Sequence, residues 1–155
     1  MYNLTLEPLD LNDFESVYFL FETRSHPAVC ACLFGKPPPD LETHKAWLTA
    51  NVPSKRLMYV FRLDGVPVGY CHAYDFDQHN KTFEAGFVIH PDFQGLGYGS
   101  VLVEVFLAEM CEKFDTWKVL LRVKEDNYVA LGLYHKQGFA TVSLSEGIVT
   151  LEKVL

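Results

Sequence analysis

The sequence predicts an α/β fold, a mixed sheet of about seven strands covered by about four helices. Three observations carry this. Apolar, β-forming runs alternate with segments striped at helical spacing. A tight Asp64-Gly65 turn joins residues 57–63 to residues 66–75 as a hairpin, so part of the sheet is antiparallel. A long helical segment, 100–114, then separates two further strand-like runs, supplying the crossover that a parallel pair needs.

The elements follow in order. Leu4, Leu6 and Leu9 mark a short first strand. Residues 11–24 place Phe14, Val17, Tyr18 and Phe21 at helical spacing, with Asn12 or Asp13 able to cap the start. His26-Pro27 ends that helix, because the residue before a proline avoids the helical region. Residues 34–39 form a rigid linker closing on three prolines, and Asp40 caps a second helix carrying Leu41, Trp47 and Leu48. After the 57–75 hairpin comes a polar turn at 76–81. Residues 82–89 form a third strand, apolar on both faces and therefore central. The helix at 100–114 is about 22 Å long. Its polar positions are confined to Glu104, Glu109, Glu112 and Lys113, so most of its circumference is expected to be buried. Residues 117–123 are strongly β-forming. Asn127 caps a short helix that stops before Gly138. A final hairpin, 139–144 with 148–154, turns at Glu146-Gly147.

At 155 residues the chain is expected to be a single domain spanning 1–155. A hydrophobic content of 49%, with 12 Phe and 8 Tyr, excludes disorder. The formal charge of −7 argues against a nucleic-acid or anionic-membrane surface and mildly favours a cationic or amine-bearing substrate. Cys30, Cys32, Cys71 and Cys111 have no disulfide or metal-ligand spacing, so reduced thiols and no metal are expected. Glu7, Asp10, Asp13 and Glu15 precede any basic residue, which is not the pattern of a secretory leader. No apolar run approaches membrane-spanning length, and a cytoplasmic location is expected.

Gln94-Gly95-Leu96-Gly97-Tyr98-Gly99 is the most informative stretch. Glycine at every second position leaves backbone N–H groups uncovered and permits positive φ. Those groups, at the positive end of the following helix, form a site for phosphate. No Lys-Ser or Lys-Thr follows, so this is not a P-loop. The preceding strand also comes too late in the chain for a dinucleotide-binding unit.

A second constellation lies downstream: Asn127-Tyr128-Val129-Ala130, then Tyr134 and Gly138-Phe139. Together, Gln94-x-x-Gly97-x-Gly99 and Asn127-x-x-Ala130-x-x-x-Tyr134-x-x-x-Gly138-Phe139 resemble the acetyl-CoA-binding core of GNAT N-acetyltransferases over residues 82–139. The resemblance implies a sheet splayed open between strands 82–89 and 117–123, with acetyl-CoA as co-substrate in the wedge. Backbone groups of Val88 and His90 would pair with pantetheine. The N–H groups of Gln94, Gly95, Gly97, Tyr98, Gly99 and Ser100 would hold the pyrophosphate. Asn127 would contact the cofactor or simply cap its helix, and Ala130 belongs to the same motif.

Acetyl transfer to an amine needs a base, a carbonyl-oxygen donor and an acid for the leaving thiolate. Glu84 is the candidate base, since a carboxylate on an apolar central strand is costly unless it faces a wet cleft. It shares a strand face with Gly86 and Val88. His90 or a water chain are alternative routes for the proton. Tyr134 is the candidate acid. No cysteine suits a covalent acetyl-enzyme, so direct attack by the amine is expected. Arg24-Ser25-His26-Pro27, with His44 and Trp47, resembles a segment of nucleotide-amino-sugar N-acetyltransferases of the pseudaminic acid pathway, although Ser25 stands where that branch commonly has Asn. This resemblance implies transfer to the 4-amino group of a UDP-linked sugar, with Arg24, His44 and Lys81 at the nucleotide and Trp47 at the sugar. Protein N-termini, polyamines or antibiotics, and a non-catalytic acyl-CoA-binding module remain open, as does the choice of monomer or homodimer.

Overall fold

The structure, a computed structural model, describes residues 3–155. Its elements are β1 (Leu4–Pro8), α1 (Phe14–Ser25), α2 (Pro27–Cys30), α3 (Leu41–Asn51), β2 (Arg56–Leu63), β3 (Val66–Asp77), β4 (Thr82–Ile89), α4 (Tyr98–Lys113), β5 (Lys118–Lys124), α5 (Tyr128–Lys136), β6 (Ala140–Ser145) and β7 (Ile148–Val154). These seven strands form one sheet in the order β1-β2-β3-β4-β5-β7-β6. Every neighbouring pair is antiparallel except β4 and β5, which are parallel across the α4 crossover. The mixed α/β architecture and the strand count read from the sequence are those observed.

Side chains on β4 alternate between two apolar layers. Phe83 and Ala85, with Phe87 and Ile89, pack into the core shared with Leu102, Val103, Phe106 and Met110 of α4 and Tyr134 of α5. Val88 turns the opposite way, into a layer with Leu20 of α1, Leu48 of α3 and Tyr70 of β3. A strand between two helical layers must be apolar on both faces, which is why β4 reads as a continuous hydrophobic run. Arg62 ties α1 to the sheet through Glu7, Asp13 and Glu15, with Ser16 accepting a further hydrogen bond.

Three sequence expectations change. His26-Pro27 does end α1, but His26 Nδ1 also accepts from the Ala28 N–H and starts the extra helix α2. A four-residue helix is too short to display a hydrophobic period, so the helix count rises to five. β3 runs on to Asp77, which shortens the expected turn. Helix α4 begins at Tyr98 rather than Ser100 and is buried along one stripe only. Glu104, Val105, Ala108, Cys111, Glu112 and Lys113 are exposed. None of the described helices is long and apolar enough to cross a membrane.

Candidate active site

Hydrogen-bonded pairing of β4 with β5 is confined to Thr82, Phe83 and Glu84 opposite Lys118, Val119 and Leu120. Residues 85–89 form no such pairs with β5, and the strands part into the wedge that the resemblance implied. Backbone direction in the wedge follows from strand alternation. The His90 N–H donates to the Val68 carbonyl, so His90, and Val88 two residues earlier, turn their backbone groups to β3. The groups facing the gap are those of Phe87 and Ile89. This differs from the assignment of Val88 and His90, because the sequence does not say which parity of β4 bonds to β3.

The glycine turn lies at the open end of the wedge. His90 Nδ1 accepts from the Asp92 N–H and starts a single 3-10 turn at Pro91–Phe93. Gln94 Nε2 donates to the Ile89 carbonyl at 2.8 Å and pins the loop to the strand end. Gly95 and Gly97 adopt φ of +75° and +86°, and a Cβ at either would meet nothing within 4 Å. Backbone conformation, not space, requires glycine there. No side chain caps α4, and its first N–H groups face outward at the positive end of a 16-residue helix. At Gly99 a Cβ would lie 3.4 Å from Leu133 Cδ1, an ordinary contact between α4 and α5. Tyr98 packs partly buried against the main core. The Ser100 hydroxyl accepts from Gln137 Nε2 at 2.9 Å, joining α4 to the end of α5. Asn127 Oδ1 accepts from the Ala130 N–H at 3.3 Å, as a helix cap does.

Glu84 is buried on the α1/α3 face, where Arg122 of β5 grips both carboxylate oxygens through Nε and Nη2. The carboxylate in turn raises the Arg122 guanidinium above its ordinary pKa. Tyr74, opposite Glu84 in β3, has its phenol pushed up to about 12 by burial and by that carboxylate. Tyr134 lies across the strand, buried between Phe87 and Phe139 with ring centroids 5.9 Å from each. Burial pushes its hydroxyl above the usual phenol value, which favours a neutral donor. His90 Nδ1 is engaged at Asp92, and its Nε2 faces Glu22 at 3.7 Å. It lies outside the cavity wall and does not sit as a base toward it.

Beside Gly86 and Arg122 opens a cavity of about 550 Å³ between α1, α3, β2–β4 and the 32–39 segment; Glu84, held behind Arg122, is not itself among the residues of its wall. Arg24, His44 and Trp47 line it, as does Gly86, whose missing side chain matters: a Cβ would meet His72 Nε2 at 2.5 Å. Arg24 is already engaged, donating to the Phe34 and Gly35 carbonyls and so holding the proline segment over the cavity. His44 is 6% exposed, with Nδ1 unpartnered among the described residues. Burial, then the Arg24 charge, lowers its pKa. Lys81 lies outside the cavity, in the turn before β4 with φ of +53°. Residues the sequence reading missed are Arg56, His72 and Arg122, which reach the wall from three strands. No local spacing marks them.

The sequence profile of the Acetyltransferase (GNAT) family matches residues 15–139, most of the chain. The chain belongs to the GNAT acetyltransferase family. A mycothiol acetyltransferase of Geodermatophilus obscurus is 47% identical over 51 residues, which are 33% of this chain and 16% of that protein. This chain therefore aligns with only a small part of that relative. Among solved structures, spermidine N-acetyltransferase from Vibrio cholerae, in complex with CoA and spermine, superposes with TM-score 0.87 at 16% identity, covering 97% of this chain and 95% of that one. The yncA protein of Salmonella typhimurium, solved with acetyl-CoA, superposes with TM-score 0.78 at 21% identity over 99% and 94%. At such identity the likeness is one of GNAT fold.

Proposed function

We propose that this GNAT protein transfers the acetyl group of acetyl-CoA to a primary amine by direct attack. The wedge between β4 and β5, with the uncapped glycine turn at its mouth, is the observation that carries the reading. The backbone groups of Phe87 and the N–H of Ile89, whose carbonyl is taken by Gln94, offer a strand edge to an extended diamide such as pantetheine. The N–H groups from Gly95 to Ser100 are aimed at a pyrophosphate, each hydrogen bond to a charged oxygen being worth about 1.5–3 kcal/mol. Acetyl-CoA supplies an activated acyl thioester.

Glu84 receives the amine proton, directly or through one water, while Arg122 holds its carboxylate in place. Without such a base an alkyl amine of ordinary pKa costs about 4–5 kcal/mol to deprotonate at pH 7. Tyr134 reaches the wedge from α5 and donates a hydrogen bond to the departing sulfur. A UDP-linked amino sugar is the finer candidate acceptor, supported by His44 and Trp47 in the cavity wall, and not by Lys81, which lies outside it, or by Arg24, whose donors are engaged by the protein. Release of free CoA thiol with an amine panel, beside the thermal shift caused by acetyl-CoA, tests the reading. No thiol release and no shift would end it.

A further inference from the structure

Resting on the acetyltransferase reading, we infer that the acceptor is an anion as well as an amine, and that Arg56 is the residue that selects it. The cavity wall includes Arg24, Lys36, Arg56 and Arg122 and no Asp or Glu, in a chain whose net charge is −7. Two of these cations are occupied. Arg122 is matched by Glu84, and Arg24 is spent on backbone carbonyls and the Cys30 sulfur. Arg56 is different.

Its guanidinium is half-buried, 4.0 Å above the centroid of Tyr74 and 5.0 Å from that of Trp47. One Nη meets His72 Nδ1, which accepts and therefore leaves that imidazole neutral. No carboxylate lies within ion-pair distance of Arg56 among the described residues. Asp75 and Glu84 reach it only through the longer-range field. The remaining N–H donors of the fork have no protein partner among the described residues. An unmatched cation withdrawn from water is costly, and an oxyanion in the cavity removes that cost. The two rings hold the guanidinium in place, and a planar fork of N–H donors is the geometry that suits a carboxylate or phosphate. His44 adds an unpartnered buried nitrogen to the same wall. The nearest carboxylate, Glu84, is paired with Arg122 and stands outside the wall, so the cavity presents cations to an acceptor. A polyamine would meet those cations with a like charge.

The test uses the full chain and primary amines of equal length ending in phosphate, carboxylate, hydroxyl or ammonium, with CoA release as readout. An anion-ended amine is expected to exceed the ammonium-ended one in kcat/KM by about 100-fold. The phosphate and carboxylate arms show which oxyanion is taken. Arg56→Met should raise KM for the preferred anion-ended amine by about 10- to 100-fold. It should also collapse the preference over the hydroxyl-ended amine, while acetyl-CoA still raises the melting temperature. Arg56→Lys should recover part of the loss, as charge recognition requires. Equal or better turnover of the ammonium-ended amine overturns the inference. So does an anion preference that survives in Arg56→Met, or acetyl-CoA binding with no turnover of any anion-ended amine. Absence of acetyl-CoA binding would instead overturn the acetyltransferase reading beneath it.

Discussion

Tyr134 sits in a layer of rings and Glu84 in a clamp of nitrogen donors, and those surroundings set what each can do. Because burial raises the Tyr134 pKa, handing a proton fully to a thiolate is harder than for a free phenol, and hydrogen-bond donation is the better role. Tyr134→Phe is expected to lower kcat about 10- to 100-fold with little change in the KM for acetyl-CoA. Glu84→Gln keeps the shape and loses the base, so kcat should fall about 100-fold or more. Unchanged kcat in either variant, in a thiol-release assay, would remove that residue from the mechanism. His72 has its pKa lowered to about 3, first by burial and then by the Arg56 and Arg24 charges. The unfolded value is about 6.5. Between these the unfolded chain binds a proton that the folded chain refuses. Stability is therefore undiminished above about pH 6.5 and declines as pH falls toward 3, by at most about 1.4 kcal/mol per pH unit. Urea unfolding at pH 5 should show a loss of up to about 2 kcal/mol relative to pH 7. His72→Gln, which keeps an acceptor for Arg56, should flatten that difference. A profile identical to wild type would show that other groups cause it.

Among the elements, the loop into α4 was the most legible and β4 the most deceptive. Glycine at 95 and 97 announces positive φ within six residues of sequence, and the structure adopts it at both. Gly97→Ala meets no neighbouring atom, so its cost of about 1–2 kcal/mol is conformational. Relaxation of that strain would turn the α4 N–H groups off target. A lower melting temperature together with a several-fold weaker acetyl-CoA Kd is expected, and calorimetry on the variant reads both. Along β4 the spacing placed Glu84 and Val88 on one face correctly. It held no information on hydrogen-bond parity, which depends on register with β3. Helix α2 escaped notice for want of length, and α4 looked all-round apolar because exposed Val105, Ala108 and Cys111 carry no charge.

For the molecule as a whole, the parted sheet makes a prediction that amide exchange can check. The N–H groups of Phe87 and Ile89 face the gap and should gain protection on adding acetyl-CoA. Those of Val88 and His90, already bonded to β3, should not change. The opposite pattern would move the pantetheine site to the other parity. Net charge and local charge differ here: in a chain of overall −7, α1, the proline segment, β2 and β5 each bring one cation to the cavity.

The seven strands, every helix but α2, the glycine turn and the motif pair at 94–99 and 127–139 were readable from residues alone. Hydrophobic period, capping and φ preference are written within a dozen neighbouring positions. Folding had to settle the rest: which edge of β4 lies open, that Arg122 clamps Glu84, and that Arg56 faces the cavity with no acid paired to it among the described residues. Each of these depends on register and on packing between segments far apart in the chain, and no local spacing encodes that.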